Sequence, residues 1–282
     1  MKYIFFGTPQ FAATVLEPLL QANMPPCALV CNPDRPVGRK KIITPPQTKK
    51  LLNHYDTSIP ILQPDRIDET FLKTLTTFQA NFFVVAAYAK ILPDTLIAIP
   101  KYGTIGVHPS LLPQLRGSSP LQTAILEHVR TGVTLYKIDK HVDHGPILST
   151  RVLNEDIDTY TYTKLEDTLA RMGAKLLMTT LPRLMDGTIV PQTQNHEMAT
   201  FTRKFKTEDG YVPLELLQKA QDGDNDHARM IDSKIRALTP EPGVYTIQDG
   251  KRIKLLQAKI VDSTLKLITI QKEGKRPTTC PH

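Results

Sequence analysis

The sequence predicts an α/β protein: a large domain built on a mostly parallel sheet with helices on both faces, followed by a small antiparallel β domain. Three observations predict it. Residues 1–150 alternate short apolar runs with stretches whose apolar residues recur at helical spacing, the rhythm of βαβ units. One long helical pattern covers residues 161–185. After residue 243 come short alternating or β-branched runs, separated by the turn pairs Asp249-Gly250 and Asp262-Ser263.

The first strand is expected over residues 2–6 and is closed by Gly7-Thr8-Pro9. Phe11, Val15, Leu16, Leu19 and Leu20 then mark a helix, in which Pro18 lacks an amide donor and should kink or shorten the turn. Strands follow at residues 27–31, 61–62 and 81–87, with a helix over 67–78. Further buried strands are expected at 104–107 and 133–138. Leu165, Leu169, Met172, Leu176 and Leu177 form the apolar face of the long helix, and Gly187 stands just past its end. Residues 188–207 are polar and extended, with Pro191, Gln192, Gln194 and Asn195, and read as a linker. Helices are expected near 213–220 and 226–236, and strands at 244–247, 253–260 and 265–270. The expected domains are therefore 1–187 and 208–282, joined by 188–207.

The 282 residues suffice for one large domain and a smaller one. The chain is 40% hydrophobic and 22% charged, ordinary for a globular protein. It has no run of about 18 apolar residues, so no membrane span is expected. The apolar N-terminus is too short for a signal peptide. Cys27, Cys31 and Cys280 make neither a disulfide framework nor a zinc site, which points to the cytoplasm. The dinucleotide fingerprint Gly-x-Gly-x-x-Gly is absent. Net charge is +7 and favours an anionic partner. Arg35, Arg39, Lys40, Lys41, Lys49 and Lys50 crowd one loop-like stretch against a single acid, Asp34, and a second basic cluster lies toward the C-terminus. One such cluster is as often a solvated face as a binding site; two of them favour nucleic acid.

The chemistry-bearing stretch is His108-Pro109-Ser110-Leu111-Leu112-Pro113, with Asp143-His144-Gly145 further on. Each follows an apolar run that reads as a buried strand, so both are expected at adjacent strand ends, where α/β sheets bind ligands. A histidine beside a carboxylate there can handle protons near neutral pH. The pair alone is weak evidence, since most histidines are structural. The apolar Ser-Leu-Leu-Pro turn adds the wall of a pocket. His108, His141, His144 and Asp143 match no metal-ligand spacing, and no metal is expected.

These residues carry a resemblance. The segments GTIGVHPSLLPQLRGSSPLQTAIL and TGVTLYKIDKHVDHGPIL resemble the core of the folate-dependent formyltransferases, whose pattern is Asn-x-His, Ser-Leu-Leu-Pro, Arg-Gly and a later Asp-x-Gly. His108 and Asp143 match; the asparagine position is Gly106. Residues 33–41 resemble the basic insertion of the tRNA-formylating members. Residues 234–243 and 271–277 resemble the start and end of their C-terminal OB-like domain. Only residues 261–264 separate two of its strands here, so a truncated domain is expected.

The resemblance implies a Rossmann-like catalytic domain, 10-formyltetrahydrofolate as donor and the α-amine of initiator methionyl-tRNA as acceptor, for translation initiation. A monomer is expected. It implies that His108 polarises the formyl oxygen or assists proton transfer, while Asp143 holds His108 and accepts the proton. It places the folate against Tyr88, Ala89, Lys90, Ile91 and Leu92, against Ser110, Leu111, Leu112 and Pro113, and against Val142. Ala89 replaces the glycine usual in the family. It places tRNA against Arg35, Arg39, Lys40, Lys41 and Arg236. Gly106 supplies no side-chain donor, so an ordered water or His144 is expected to compensate. The alternatives are an amino-sugar-nucleotide N-formyltransferase and a non-catalytic folate- or tRNA-binding relative.

Overall fold

The computed structural model describes residues 1–38, 40–55 and 58–280. Strand β1 (Tyr3–Gly7) is buried at every residue, as its unbroken apolar run requires of a strand covered on both faces. Alternate side chains feed two cores. Tyr3 and Phe5 pack with Phe11, Val15 and Leu16 of α1 (Gln10–Gln21) on one side. Ile4 and Phe6 pack with Phe71 and Leu75 of α3 (Glu69–Thr77) on the other. Burial of one such side chain contributes about 1.5–3 kcal/mol. Helix α1 continues past Pro18 to Gln21, and Asp68 caps α3 by accepting the Phe71 N–H at 2.9 Å.

Strands β2 (Ala28–Val30), β5 (Ile61–Leu62), β6 (Phe82–Ala86) and β7 (Thr104–His108) extend the sheet in parallel, in the order β5-β2-β1-β6-β7. Beyond β7 the direction reverses. Strand β9 (Gly132–Lys137) is antiparallel to β7, and β10 (Ile147–Val152), which the sequence pattern did not mark, is antiparallel to β9. The long helix α6 (Tyr162–Met185) contributes Leu177 and Leu181 to the core on the α1 side. Between β2 and β5 lie a ribbon, β3 (Arg35–Val37) against β4 (Ile42–Thr44), and helix α2 (Gln47–His54). The basic stretch expected as a loop is thus a hairpin, whose reversal places Gly38 and Lys41 at positive φ. Arg39 lies outside the described residues.

A short helix α4 (Asp94–Ile97) precedes β7, and β8 (Arg116–Gly117) pairs with β11 (Phe201–Thr202). The remaining elements are α5 (Pro120–Leu126), α7 (Leu214–Gln221), α8 (Asn225–Leu238) and the antiparallel strands β12 (Val244–Gln248), β13 (Lys251–Val261), β14 (Thr264–Lys272) and β15 (Thr278–Thr279). Packing sorts the chain into two compact units that chain order does not separate. One holds residues 1–116, 131–153 and 166–201; the other holds 117–130, 154–165 and 202–282. The expected division at 188–207 follows chain order, whereas packing groups 117–130 and 154–165 with the C-terminal residues. In that second unit α8 packs on α5, on α7 and on the β13–β14 hairpin. Among the described residues no helix is long and apolar enough to cross a membrane, and no cluster of three or more His, Cys, Asp or Glu could hold a metal ion.

Candidate active site

Strand β7 decides which residues face the site. Ile105 and Val107 enter the α6-side core, so Gly106 and His108 face the opposite side of the sheet. On antiparallel β9 the cross-strand partners are Tyr136 for Gly106 and Thr134 for His108, so all four share one face. Reversal of β9 corrects the expectation of two adjacent strand ends. Lys137, at the end of β9, lies opposite Ile105. The following loop folds back over the face of the sheet and brings Asp143 to Tyr136 and His108.

His108 is 7% exposed. Its Nε2 lies 2.9 Å from the Leu115 carbonyl, which can only accept, so Nε2 carries the hydrogen. Nδ1 faces Asp143 Oδ2 at 3.6 Å, an ion-pair distance too long for a direct hydrogen bond. The other carboxylate oxygen, Oδ1, accepts the Tyr136 phenol at 2.6 Å. Burial first, and then the adjacent Asp143 charge, push the Tyr136 hydroxyl well above its ordinary pKa, so it stays a donor.

Gly106 does not leave a void. A Cβ built there would stand 2.6 Å from Tyr136 Cζ and 2.9 Å from its hydroxyl oxygen, and closer still to Cε1. The expectation of a water in that space is thereby corrected: the aromatic ring fills it. His144, the other expected substitute, is engaged elsewhere. Its Nδ1–H donates to Asp139 Oδ2 at 2.7 Å, and its ring stacks on His196 at 4.1 Å between centroids. Burial raises the pKa of Asp139, but the bonds from His144 and from the His141 N–H outweigh it and hold the carboxyl below its usual range.

The turn after β7 is held from within. Ser110, fully buried, donates its hydroxyl to the Gln114 carbonyl at 2.6 Å and accepts the Thr134 hydroxyl at its own carbonyl at 2.7 Å. The Leu112 N–H donates to Thr134 Oγ1, and Leu112 is buried. Ser110 and Leu112, expected against the folate, therefore shape the turn, while Leu111 and Pro113 keep partial exposure. In the loop after β6, Tyr88 packs edge-on against Phe6 and Leu92 joins the same core. Lys90 donates to the Pro64 and Asp65 carbonyls. Ala89 is exposed, Ile91 is 94% exposed and Val142 is 66% exposed. Three loop residues, Ala87, Leu115 and Asp143, adopt positive φ, which non-glycine residues accept at a cost of about 1–3 kcal/mol and which concentrates at functional sites.

The sequence motifs omit the residues that brace these loops. Gln194, 3% exposed, donates through Nε2 to the carbonyls of Asp143 at 3.0 Å and Gly145 at 2.7 Å. Its Oε1 accepts from buried Arg116 at 2.5 Å. Arg116 also donates to His196 Nδ1 at 2.9 Å, and Thr200 accepts the Leu115 and Arg116 amides. Part of the expected linker thus belongs to the site. The only sequence signal for Gln194 and Thr200 was their polarity; for Tyr136 it was a bulky aromatic near a glycine on a neighbouring strand.

The basic residues divide. Arg35, Lys40 and Lys41 are exposed on the β3–β4 hairpin, beside exposed Val37, Ile42 and Ile43. Lys49 is bound to Asp34 and Gln63. Arg236, expected to touch tRNA, is largely buried: it bonds Asp232 at 2.7 Å, the Tyr160 carbonyl at 2.9 Å and Ser233 at 3.2 Å. Its donors serve the interior of its own unit. Lys251, Arg252, Lys254, Lys272, Lys275 and Arg276 are among the exposed cations there.

The formyl transferase family model matches residues 1–181, and that of the formyl transferase C-terminal domain matches 225–275. Methionyl-tRNA formyltransferase of Staphylococcus aureus (strain JH1) is 36% identical over 268 residues, covering 93% of this chain and 80% of that protein. Methionyl-tRNA formyltransferase from Clostridium thermocellum superposes with a TM-score of 0.60 at 17% identity, over 96% of this chain and 98% of that one. WlaRD, a sugar 3N-formyl transferase crystallised in the presence of dTDP and 5-N-formyl-THF, superposes with a TM-score of 0.61 at 17% identity, over 98% of this chain and 99% of that one.

Proposed function

The chain belongs to the formyl transferase family, and we propose that it transfers a formyl group from 10-formyltetrahydrofolate to the α-amine of initiator methionyl-tRNA. The observation that carries this reading is the pair of buried His108 and half-buried Asp143 on one sheet face, braced from Tyr136, Leu115 and Gln194. The attacking amine forms the new N–C bond, the formyl oxygen becomes an oxyanion, and the bond to the folate nitrogen then breaks. The amine must lose a proton and the folate nitrogen must gain one. His108 Nδ1 is the ring edge not engaged by Leu115, so it receives the amine proton, and Asp143 beside it stabilises the imidazolium. The imidazolium returns the proton to the departing nitrogen.

The exposed apolar side chains of Ile91 and Val142 suit the flat pterin of a folate. The Arg35, Lys40 and Lys41 hairpin supports a polyanionic acceptor over a sugar nucleotide. The three cysteines are free, in keeping with action in a reducing cytoplasm. The test is to incubate the protein with charged initiator tRNA and 10-formyltetrahydrofolate and to assay formylmethionine after deacylation. Formylation is expected. No product on tRNA, with product on an amino-sugar nucleotide, would overturn the assigned acceptor.

A further inference from the structure

We infer that Tyr136 is a positioning residue of the reaction, coupled to Gly106 as one unit: its ring occupies the space a side chain at 106 would need, and its hydroxyl orients Asp143 toward His108. The inference rests on the formyl-transfer reading. Three observations carry it. Gly106 and Tyr136 are direct cross-strand partners on the site face, and any Cβ at 106 would meet the phenol ring. The phenol donates a short, charge-assisted bond to Asp143 Oδ1 at 2.6 Å, leaving Oδ2 directed at His108 Nδ1. The ring stands edge-on to His108, with centroids 6.5 Å apart, so it also limits how far the imidazole can swing.

The single phenolic hydrogen sets the role. Committed to the carboxylate, it cannot at the same moment be given to an oxyanion, so Tyr136 acts through Asp143 and not on the reacting carbonyl. Asp143 sits at positive φ in a loop that crosses the sheet face, and its carboxylate needs an anchor from below. Gln194 fixes the backbone of that loop; Tyr136 fixes the acid itself.

The experiment compares wild type, Tyr136→Phe, Gly106→Asn, Tyr136→Leu and the Gly106→Asn/Tyr136→Leu double variant. The phenylalanine variant keeps the ring and loses the anchor. Its kcat should fall about 10²-fold, the scale of a small misplacement, with KM for both substrates changed less than about threefold. A wild-type kcat in Tyr136→Phe overturns the positioning role. Gly106→Asn should lose activity and unfold at lower urea, because the new side chain displaces the ring. The double variant should exceed Gly106→Asn in both kcat and urea midpoint, since leucine vacates the space. Additive effects, with the double variant the poorest of the set, overturn the coupling. The urea midpoints need no substrate. They test the pairing even if the wild type fails to formylate tRNA, a result that counts against the acceptor and not against the Gly106–Tyr136 unit.

Discussion

Gln194 engages both ends of its carboxamide at the site, holding Asp143 and Gly145 with one and Arg116 with the other. Gln194→Leu should remove about 1–3 kcal/mol of stability, because a buried guanidinium loses an acceptor. It should also lower kcat more than the melting temperature alone explains, since Asp143 then drifts; an unchanged kcat in a folded variant would show that the loop holds itself. His108→Ala and Asp143→Asn should each abolish most turnover while folate binding persists, as followed by equilibrium titration. Their double variant should be little worse than the poorer single one if the two act as a unit. His108 and Asp143 were legible because their chemistry stands in short motifs. Tyr136 and Gln194 were not, because their roles depend on cross-strand register and on contact across 51 residues of chain. Gly106 shows the same limit: the missing side chain is plain in the sequence, but what fills its place is fixed by the direction of β9.

At the level of elements, strand direction is the geometry that the sequence pattern leaves open. A run such as Gly132–Lys137 has the same apolar pattern whether it pairs parallel or antiparallel, so the pattern marked the strand and not its reversal. Strand β10 is hidden in the sequence because its polar residues, half-buried Ser149 and exposed Thr150 and Arg151, dilute the apolar signal of an edge strand. The β3–β4 hairpin reads as a loop in the sequence because its strands are three residues long and none of the six is buried. Its composition still supports a prediction. Replacing Arg35, Lys40 and Lys41 by alanine should weaken tRNA binding and reduce the slope of log affinity against log salt, by about 0.7–0.9 for each phosphate no longer neutralised. Folate affinity should hold, because none of the three lies in the loops around His108. Full tRNA affinity at physiological salt in the triple variant would make the hairpin a solvated surface and shift the burden of tRNA binding to the C-terminal cations.

For the molecule as a whole, chain order and packing order disagree, and the disagreement is testable. Helix α5 buries Leu121, Ala124 and Ile125, and it packs on α8, about a hundred residues away in sequence. The Ser233 hydroxyl reaches His128 Nε2 at 3.1 Å, and Arg236 holds the Tyr160 carbonyl and lies 3.7 Å from Asp158. Residues 117–130 and 154–165 therefore depend on α8 for burial and for hydrogen-bond partners. Cutting the chain after residue 207, where composition suggests a clean domain end, would remove α8 and expose those apolar side chains, with Leu121 and Ile125 each costing about 1.5–3 kcal/mol. The 1–207 fragment should therefore lose its cooperative thermal transition or aggregate on concentration. If the fragment instead melts cooperatively at the parent temperature, α5 is stable without α8. Residues 117–130 and 154–165 would then fold without the C-terminal residues, as the linear reading expects.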